Sequence, residues 1–357
     1  MNLRTAESCR WDVMALGECM VRLSPPGHGR IEFASRFDVW VGGGEYNVAY
    51  ALARLGLRAG FLSRLVDNPV ARIILNHGRA AGLDMSRVVL APYDGVGRAD
   101  RVGLNFTEVG TGVRGGVTLY DRGHSAASHL RPGMIDFAKI FRDEGVRWLH
   151  CGGIFPALSE GCAAVCREAL AAAKSAGVVT SYDLNFRSSL GTLDQARRVT
   201  KELMPSVDLL VGNDGIIRAL VGAGGAGEES TTFNSDEYRR TMGDVAKAYP
   251  NLAVIGTTIR TIRSGLSNDW QGALYSAGTV FQSRRYENLE IEDRVGSGDG
   301  FCAGLVYGLL NGKPPQECVE LAAALGALLH TTPGDTSQVT QAELLHVTAG
   351  GGAAIRR

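Results

Sequence analysis

Apolar positions along this chain follow two rhythms, and the two alternate. Short continuous runs at 11–17 (WDVMALG), 147–151 (RWLHC), 178–184 (VVTSYDL), 207–212 (VDLLVG) and 253–258 (AVIGTT) predict buried strands. Between and beyond them, apolar residues recur every third or fourth position at 46–55, 161–176, 236–249, 301–310 and 315–331, which predicts helices. Gly56 and Gly177 directly follow two of these, where a residue without Cβ closes a helix well. Strand, helix and strand in series imply a mostly parallel sheet with helices on both faces, an α/β fold in three layers.

Two stretches break that rhythm. Residues 19–41 and about 98–122 are rich in Gly, Val, Thr and Phe and carry short alternating runs. They predict β-structure outside the main sheet, a small lid over its carboxyl edge. The glycine-rich segment 222–227 (GAGGAG) reads as a surface connection, and 347–357 as a C-terminal tail that frays from 349 onward. A single domain over 11–346 is expected, with no internal repeat or low-complexity block.

Composition narrows the partners. The chain has 357 residues, with 37 basic and 37 acidic side chains, so its formal net charge is zero. No global field draws it to nucleic acid or to an anionic membrane, which leaves a small molecule as the expected partner. No apolar run is long enough to span a bilayer, and the N-terminus lacks the apolar stretch of a signal peptide, so a cytoplasmic location is expected. The seven cysteines include no C-x-x-C pair, so neither a zinc site nor a disulfide framework is indicated. Cys162 and Cys166 share a helix face and read as buried thiols. No metal ligand set is predicted, and His28 and His124 read as surface residues.

Four segments carry candidate chemistry. In 293–304 (DRVGSGDGFCAG), Gly296 and Gly298 flank Ser297, Asp299 follows, and an apolar helix begins. Closely spaced glycines bring several N–H groups to one point, and a helix start adds its dipole, which together make an anion site. A carboxylate beside such a site can take a proton from a hydroxyl that attacks a phosphoryl group. Taken alone, Asp299 reads first as a helix cap. G-x-x-x-x-G-K-[ST] is absent, and the glycines are too closely spaced for a dinucleotide fingerprint. In 41–56 (VGGGEYNVAYALARLG), Gly43 lets a polar ligand approach backbone, and Asn47 offers it a donor and an acceptor. The alternative there is a plain turn before an amphipathic helix. At the end of a predicted strand, 182–187 (YDLNFR) alternates Asp183, Asn185 and Arg187, which predicts one shared face where open α/β sheets bind ligands. Asn213 and 257–260 (TTIR) sit at two further strand ends. In the lid, Tyr120 and Arg122 are two apart in LYDRGHS, and Arg favours carboxylate or phosphate.

Together these segments resemble a known family. Residues 41–56 are similar to the first motif of the ribokinase-like carbohydrate kinases, the PfkB family, and 293–304 to the second with its G-x-G-D core. The likeness runs from residue 11 to about 346. Six stretches, GECMVRLSPP (17–26), DNP (67–69), YDRGHSA (120–126), DLNFR (183–187), DRVGSGD (293–299) and HTTPGD (330–335), look like the 2-keto-3-deoxygluconate kinase branch. The resemblance implies the ribokinase-like three-layer αβα sandwich with a β lid. It implies ATP as phosphoryl donor, Mg²⁺, and a sugar acid phosphorylated on its terminal primary hydroxyl. Asp299 would be the base, with the N–H groups of Gly296, Ser297 and Gly298 around the transferring group. Gly43 and Asn47 would hold the sugar. Tyr120, Arg122 and Arg187 would hold its polar and carboxylate end. Asn185, Asn213, Thr258 and Arg260 would line the nucleotide side, with the helix near Ala323 flanking adenine. Lids of this kind pair in dimers, so a homo-oligomer through the lid is an expectation too.

The chain departs from the family pattern at three positions. Gly300 stands where Ala or Ser is usual. In Asn213-Asp214-Gly215-Ile216, Ile216 replaces a Glu that helps organise Mg²⁺; either Asp214 takes over that role or metal handling is weakened. Asn105 stands in the lid for a Tyr. The readings that compete with a sugar-acid kinase are a kinase for a neutral sugar such as fructose or ribose, and a non-catalytic sugar-binding protein.

Overall fold

The computed structural model describes residues 1–222 and 233–352. Residues 223–227 of the glycine-rich connection and 353–357 of the tail lie outside the described residues. Strand β1 (Trp11–Leu16) opens the central sheet, and β2 (Met20–Ser24) and β3 (Asp38–Gly42) leave it for the lid. Helix α1 (Gly44–Arg54) returns to β4 (Ala59–Leu62). Strand β5 (Arg64–Val66), helix α2 (Pro69–Ala80) and β6 (Val89–Ala91) form a small side unit, and β7 (Leu104–Glu108) and β8 (Val117–Asp121) complete the lid. The rest alternates: β9 (Val146–Gly152), α3 (Ile154–Ala157), α4 (Glu160–Ser175), β10 (Val179–Asp183), α5 (Leu193–Leu203), β11 (Leu209–Val211), α6 (Asp214–Leu220), α7 (Ser235–Ala248) and β12 (Val254–Ser264). Strands β13 (Ser267–Ser276), β14 (Thr279–Gln282) and β15 (Tyr286–Glu290) follow, then α8 (Ser297–Leu310), α9 (Pro315–Leu329) and α10 (Gln341–Thr348).

The central sheet runs β14-β13-β12-β11-β10-β9-β1-β4, with β15 also on β13. From β12 to β4 every pairing is parallel; the β12–β14 end is antiparallel. One apolar core packs α1, α8 and α9 on one face, with Phe301, Leu305 and Leu325 fully buried. The other packs α4, α6 and α7 on the opposite face, around Phe155, Ile217 and Met242. This is the three-layer ribokinase-like arrangement. The parallel strands have fully buried apolar runs because helices cover both of their faces.

The lid is a four-stranded sheet, β3-β2-β7-β8. Several predicted boundaries move, and for two of them the cause is local. Helix α8 starts at Ser297, four residues before the predicted 301, because Gly296 at φ 88 turns the chain directly into it. Helix α10 extends to Thr348, two residues into the predicted tail, started by a reciprocal Thr340–Glu343 capping box. All seven cysteines are free and buried.

Candidate active site

A cavity of about 1120 Å³ opens between the lid and the carboxyl ends of the parallel strands. Its floor is the meeting of two helix starts. Gly43 is the N-cap of α1, in extended backbone, packed so closely on the Glu18 carbonyl that a Cβ would collide with it. One turn in, Asn47 accepts from the Gly43 N–H at 3.3 Å and donates from Nδ2 to Asp299 Oδ2 at 2.7 Å. Gly296 is the N-cap of α8, so the helix-cap reading of Asp299 does not hold. Asp299 is the third residue of the helix, and its recorded bond runs across the cavity floor to Asn47.

The α8 start is the candidate anion site. Gly296 has positive φ, and its Cβ position is filled by the Asp335 carbonyl, so only glycine fits. First-turn N–H groups have no carbonyl behind them, and Gly296, Ser297 and Gly298 all line the cavity. A Cβ on Gly298 would meet nothing within 4 Å, so that face lies open to a ligand. The Ser297 hydroxyl is turned back onto the Arg294 carbonyl at 3.1 Å, leaving the backbone as the anion contact. Gly300 has a packing reason: its added Cβ would stand 3.0 Å from a Leu329 methyl and 3.4 Å from Gly326 Cα, where α9 crosses.

Charge on the lid side of the cavity is mostly acidic. Glu18, Glu45, Asp183 and Asp299 all line the cavity. Burial drives the Asp299 carboxyl well above the ordinary range, helped by Asp183 and Glu45, while Asn47 and Arg187 pull it back. Burial pushes Asp183 up to about 6 and Glu45 up to about 8. Glu45 is lodged over two strand ends that are glycine for that reason: a Cβ on Gly17 would collide with its carboxyl, and one on Gly152 would stand 2.7 Å from Oε1.

The two candidate arginines differ. Arg122 is bound to buried Glu18, with Nε at 2.8 Å and Nη2 also engaged, and it lies over the Tyr120 ring at 5.2 Å. Its charge is therefore already neutralised. Arg187 is exposed and forms no salt bridge among the described residues, so its guanidinium is the cation available on this side. The predicted shared face of Asp183, Asn185 and Arg187 is corrected. The strand ends at Asp183, Asn185 turns left-handed at φ 29, and its N–H folds back to Asp183 Oδ1 at 3.2 Å. All three still border the cavity.

On the other side, Asn213, Thr258 and Arg260 line the wall. Asn213 caps α6 by accepting from Ile216 N at 2.8 Å. Asp214 is paired with Arg218 at 2.9 Å, and Arg218 also reaches Glu237 at 3.0 Å. Ala323 does not line the cavity. It is fully buried, and its carbonyl accepts from Trp270 Nε1 at 3.0 Å, because small residues on α9 make room for that indole. Asn105 is buried beside Tyr120, its partner across β7–β8.

Sequence reasoning missed Glu18 and Glu45 as cavity groups. It also missed Arg22, which joins Asp335 at 2.5 Å and Asp293 at 2.6 Å in a buried triad beneath the α8 loop. Glu18 and Arg22 stand in the quoted 17–26 stretch, but nothing in sequence order announces partners a hundred to three hundred residues away.

The start of α8, the Gly43–Asn47 turn of α1 and the buried Asp299 between them thus meet on one cavity floor. The chain belongs to the pfkB family of carbohydrate kinases, whose model matches residues 11–342. It is 32% identical to 2-dehydro-3-deoxygalactonokinase of Haloferax volcanii, over 97% of this chain and 99% of that one. It is 28% identical to 2-dehydro-3-deoxygluconokinase of Bacillus subtilis, over 94% of each. The solved structure of 2-dehydro-3-deoxygluconokinase from Thermotoga maritima superposes with a TM-score of 0.88 at 36% identity, covering 95% of this chain and 99% of that one. A ribokinase-type E. coli structure in complex with ATP and Mg²⁺ has a TM-score of 0.77, covering 95% and 99%; at 17% identity it shares the fold alone.

Proposed function

We propose that this protein transfers the terminal phosphoryl group of ATP to the primary hydroxyl of a six-carbon keto-deoxy sugar acid, 2-keto-3-deoxygluconate or its galactonate epimer. The observation that carries the reading is Asp299, held by Asn47 in the first turn of the helix whose start lines the cavity. Asp299 takes the proton of the attacking hydroxyl. Gly296, Ser297 and Gly298 supply backbone donors to the charge that develops on the phosphoryl oxygens. Gly43 and Asn47 orient the sugar, and Arg187 meets its carboxylate. Protonated Glu45 removes one negative charge from a site that must admit an anion. Lid residues Asn105, Tyr120 and Arg122 cover the acceptor and keep water from the phosphoryl group.

ATP would lie between the α8 start and the wall of Asn185, Asn213, Thr258 and Arg260. Among the described residues no three His, Cys, Asp or Glu side chains converge as a metal cage. Mg²⁺ fits as an ion carried by the nucleotide phosphates, with Asp214 and Glu237 at the rim, and when bound it neutralises phosphate charge. No helix of the described residues is long and apolar enough to cross a membrane. Strand β8 is exposed along all five residues, an edge that suits a second copy's lid; sedimentation velocity at micromolar protein checks for that dimer.

The test is ATP turnover over a panel of 2-keto-3-deoxygluconate, 2-keto-3-deoxygalactonate, fructose and ribose. A preference for either keto-deoxy acid supports the reading. A preference for fructose or ribose replaces it with a neutral-sugar kinase, and no turnover on any of them with a sugar-binding protein.

A further inference from the structure

The tip of the β12–β13 hairpin touches the lid. The Gly265 N–H donates to the Gly112 carbonyl at 2.8 Å. The approach is backbone on backbone: a Cβ on Gly265 would stand 2.8 Å from Thr111 N and 2.9 Å from the Arg114 carbonyl oxygen. Gly265 lies outside the left-handed region, so glycine is needed there for space. The lid loop it meets is firm. Thr111 and Arg114 exchange backbone bonds at 2.9 Å, and the Arg114 side chain reaches the His28 carbonyl at 2.6 Å and Glu108 at 3.4 Å.

Arg294 holds the same tip from the opposite side. Its Nε donates to the Gly265 carbonyl at 3.1 Å and its Nη2 to that of Ser264. Arg294 lies two residues before Gly296 and lines the cavity. No carboxylate pairs with it among the described residues. Its two partners are carbonyl oxygens, which position a guanidinium without cancelling its charge. Burial and neighbouring Arg260 push its pKa down, as expected of a cation that lacks a counter-ion. The Ser264–Gly265 peptide unit thus binds the lid through its N–H and Arg294 through its carbonyl.

We propose that Gly265 and Arg294 form a latch by which seating of the lid fixes the loop that receives the phosphoryl group. Arg294 acts as a positioning residue: with the lid docked, the hairpin tip holds its guanidinium and, through the main chain, Val295 and Gly296. With the lid displaced, the tip loses its partner, and the anion loop loses one of its supports. Phosphoryl transfer is thereby favoured when the acceptor side is closed. This rests on the kinase reading of the cavity.

Two measurements test it. In steady-state kinetics, Gly265→Ala and Arg294→Gln should each lower kcat roughly ten- to a hundredfold, the scale of a misplacement of about 1 Å. The double variant should lose no more than the worse single one, because both break one chain of contacts. Losses that multiply would overturn the latch. In hydrogen–deuterium exchange without substrates, Arg294→Gln should speed exchange in lid residues 110–116, which it does not touch, and Gly265→Ala should speed it at 294–298. Exchange changes confined to the substituted side would sink the proposal, and Arg294→Gln alone decides the point if Gly265→Ala misfolds. A wild-type protein inert on every sugar acid would remove the kinase reading and leave the exchange result standing.

Discussion

Asn47 Nδ2 donates to Asp299 Oδ2 at 2.7 Å, and this bond joins the first turns of two helices that lie 252 positions apart in sequence. It fixes one carboxylate oxygen and leaves the other facing the cavity side, near Gly44, whose Cβ position is 3.7 Å from Oδ1. Asp299→Asn should therefore keep the fold and sugar binding and lower kcat by ~10²–10⁴-fold, the usual loss for a general base. The checks are kcat on the preferred sugar and calorimetric sugar binding. A loss under about tenfold would demote Asp299 to a structural residue.

Gly298 and Gly296 separate ligand space from protein space. The Cβ position of Gly298 is empty, so Gly298→Val should leave thermal stability nearly unchanged and impair turnover by occupying the phosphoryl site. Gly296→Ala meets the Asp335 carbonyl at a positive φ and should lower Tm as well. Melting curves and kinetics on both variants distinguish the two. Undiminished turnover in Gly298→Val would remove the anion site.

The arginines divide in the same way. Arg187→Ala should raise KM for a keto-deoxy sugar acid roughly ten- to a hundredfold, since a charge-assisted bond is worth about 1.5–3 kcal/mol. It should leave any activity on neutral hexoses nearly unchanged. Arg187 also lowers the pKa of Asp299, so its loss should move the acid limb of kcat/KM to higher pH. Arg122→Ala instead strands Glu18, whose side chain is 1% exposed, and should cost about 3–5 kcal/mol of stability. Equal KM effects on acidic and neutral sugars in Arg187→Ala would remove the carboxylate contact.

Glu45 makes stability pH-dependent. Its folded pKa is raised from 4.5 to about 8, so the folded protein keeps a proton that the unfolded chain has released across that window. The contribution of this group is complete below about 4.5 and is lost as pH rises through about 8. Glu45→Gln should thus melt on the order of a few degrees higher than wild type at pH 9 and close to wild type at pH 4 to 5. A Tm difference independent of pH would show that Glu45 does not titrate in this window.

Ile216 occupies the third position of α6 and borders the cavity, while Asp214 is tied to Arg218. Ile216→Glu would place a carboxylate at the nucleotide side and complete a capping box with Asn213. The Mg²⁺ concentration for half-maximal rate should fall. An unchanged Mg²⁺ titration would show that position 216 does not govern the metal here.

Much of this was written locally in the chain. Continuous apolar runs such as 178–184 and helical patterns such as 161–176 determine the alternation of strands and helices, because burial on both faces requires exactly that spacing. Gly296 and Gly298 before an apolar helix mark a candidate anion site, because backbone conformation and helix dipole are local properties. Helix α2 carried a local signal too, since Asn68 caps it, Pro69 opens it, and Ala71, Ile74, Leu75 and Gly78 bury one face, but it is not among the predicted helices. Tertiary structure decided what depends on partners distant in sequence. It neutralised Arg122 with Glu18, closed Arg22 between Asp293 and Asp335, lodged Glu45 over Gly17 and Gly152, and buried Ala323 under Trp270. A side chain's charge, exposure and proton affinity are set by whatever folds against it, and sequence order does not list those neighbours.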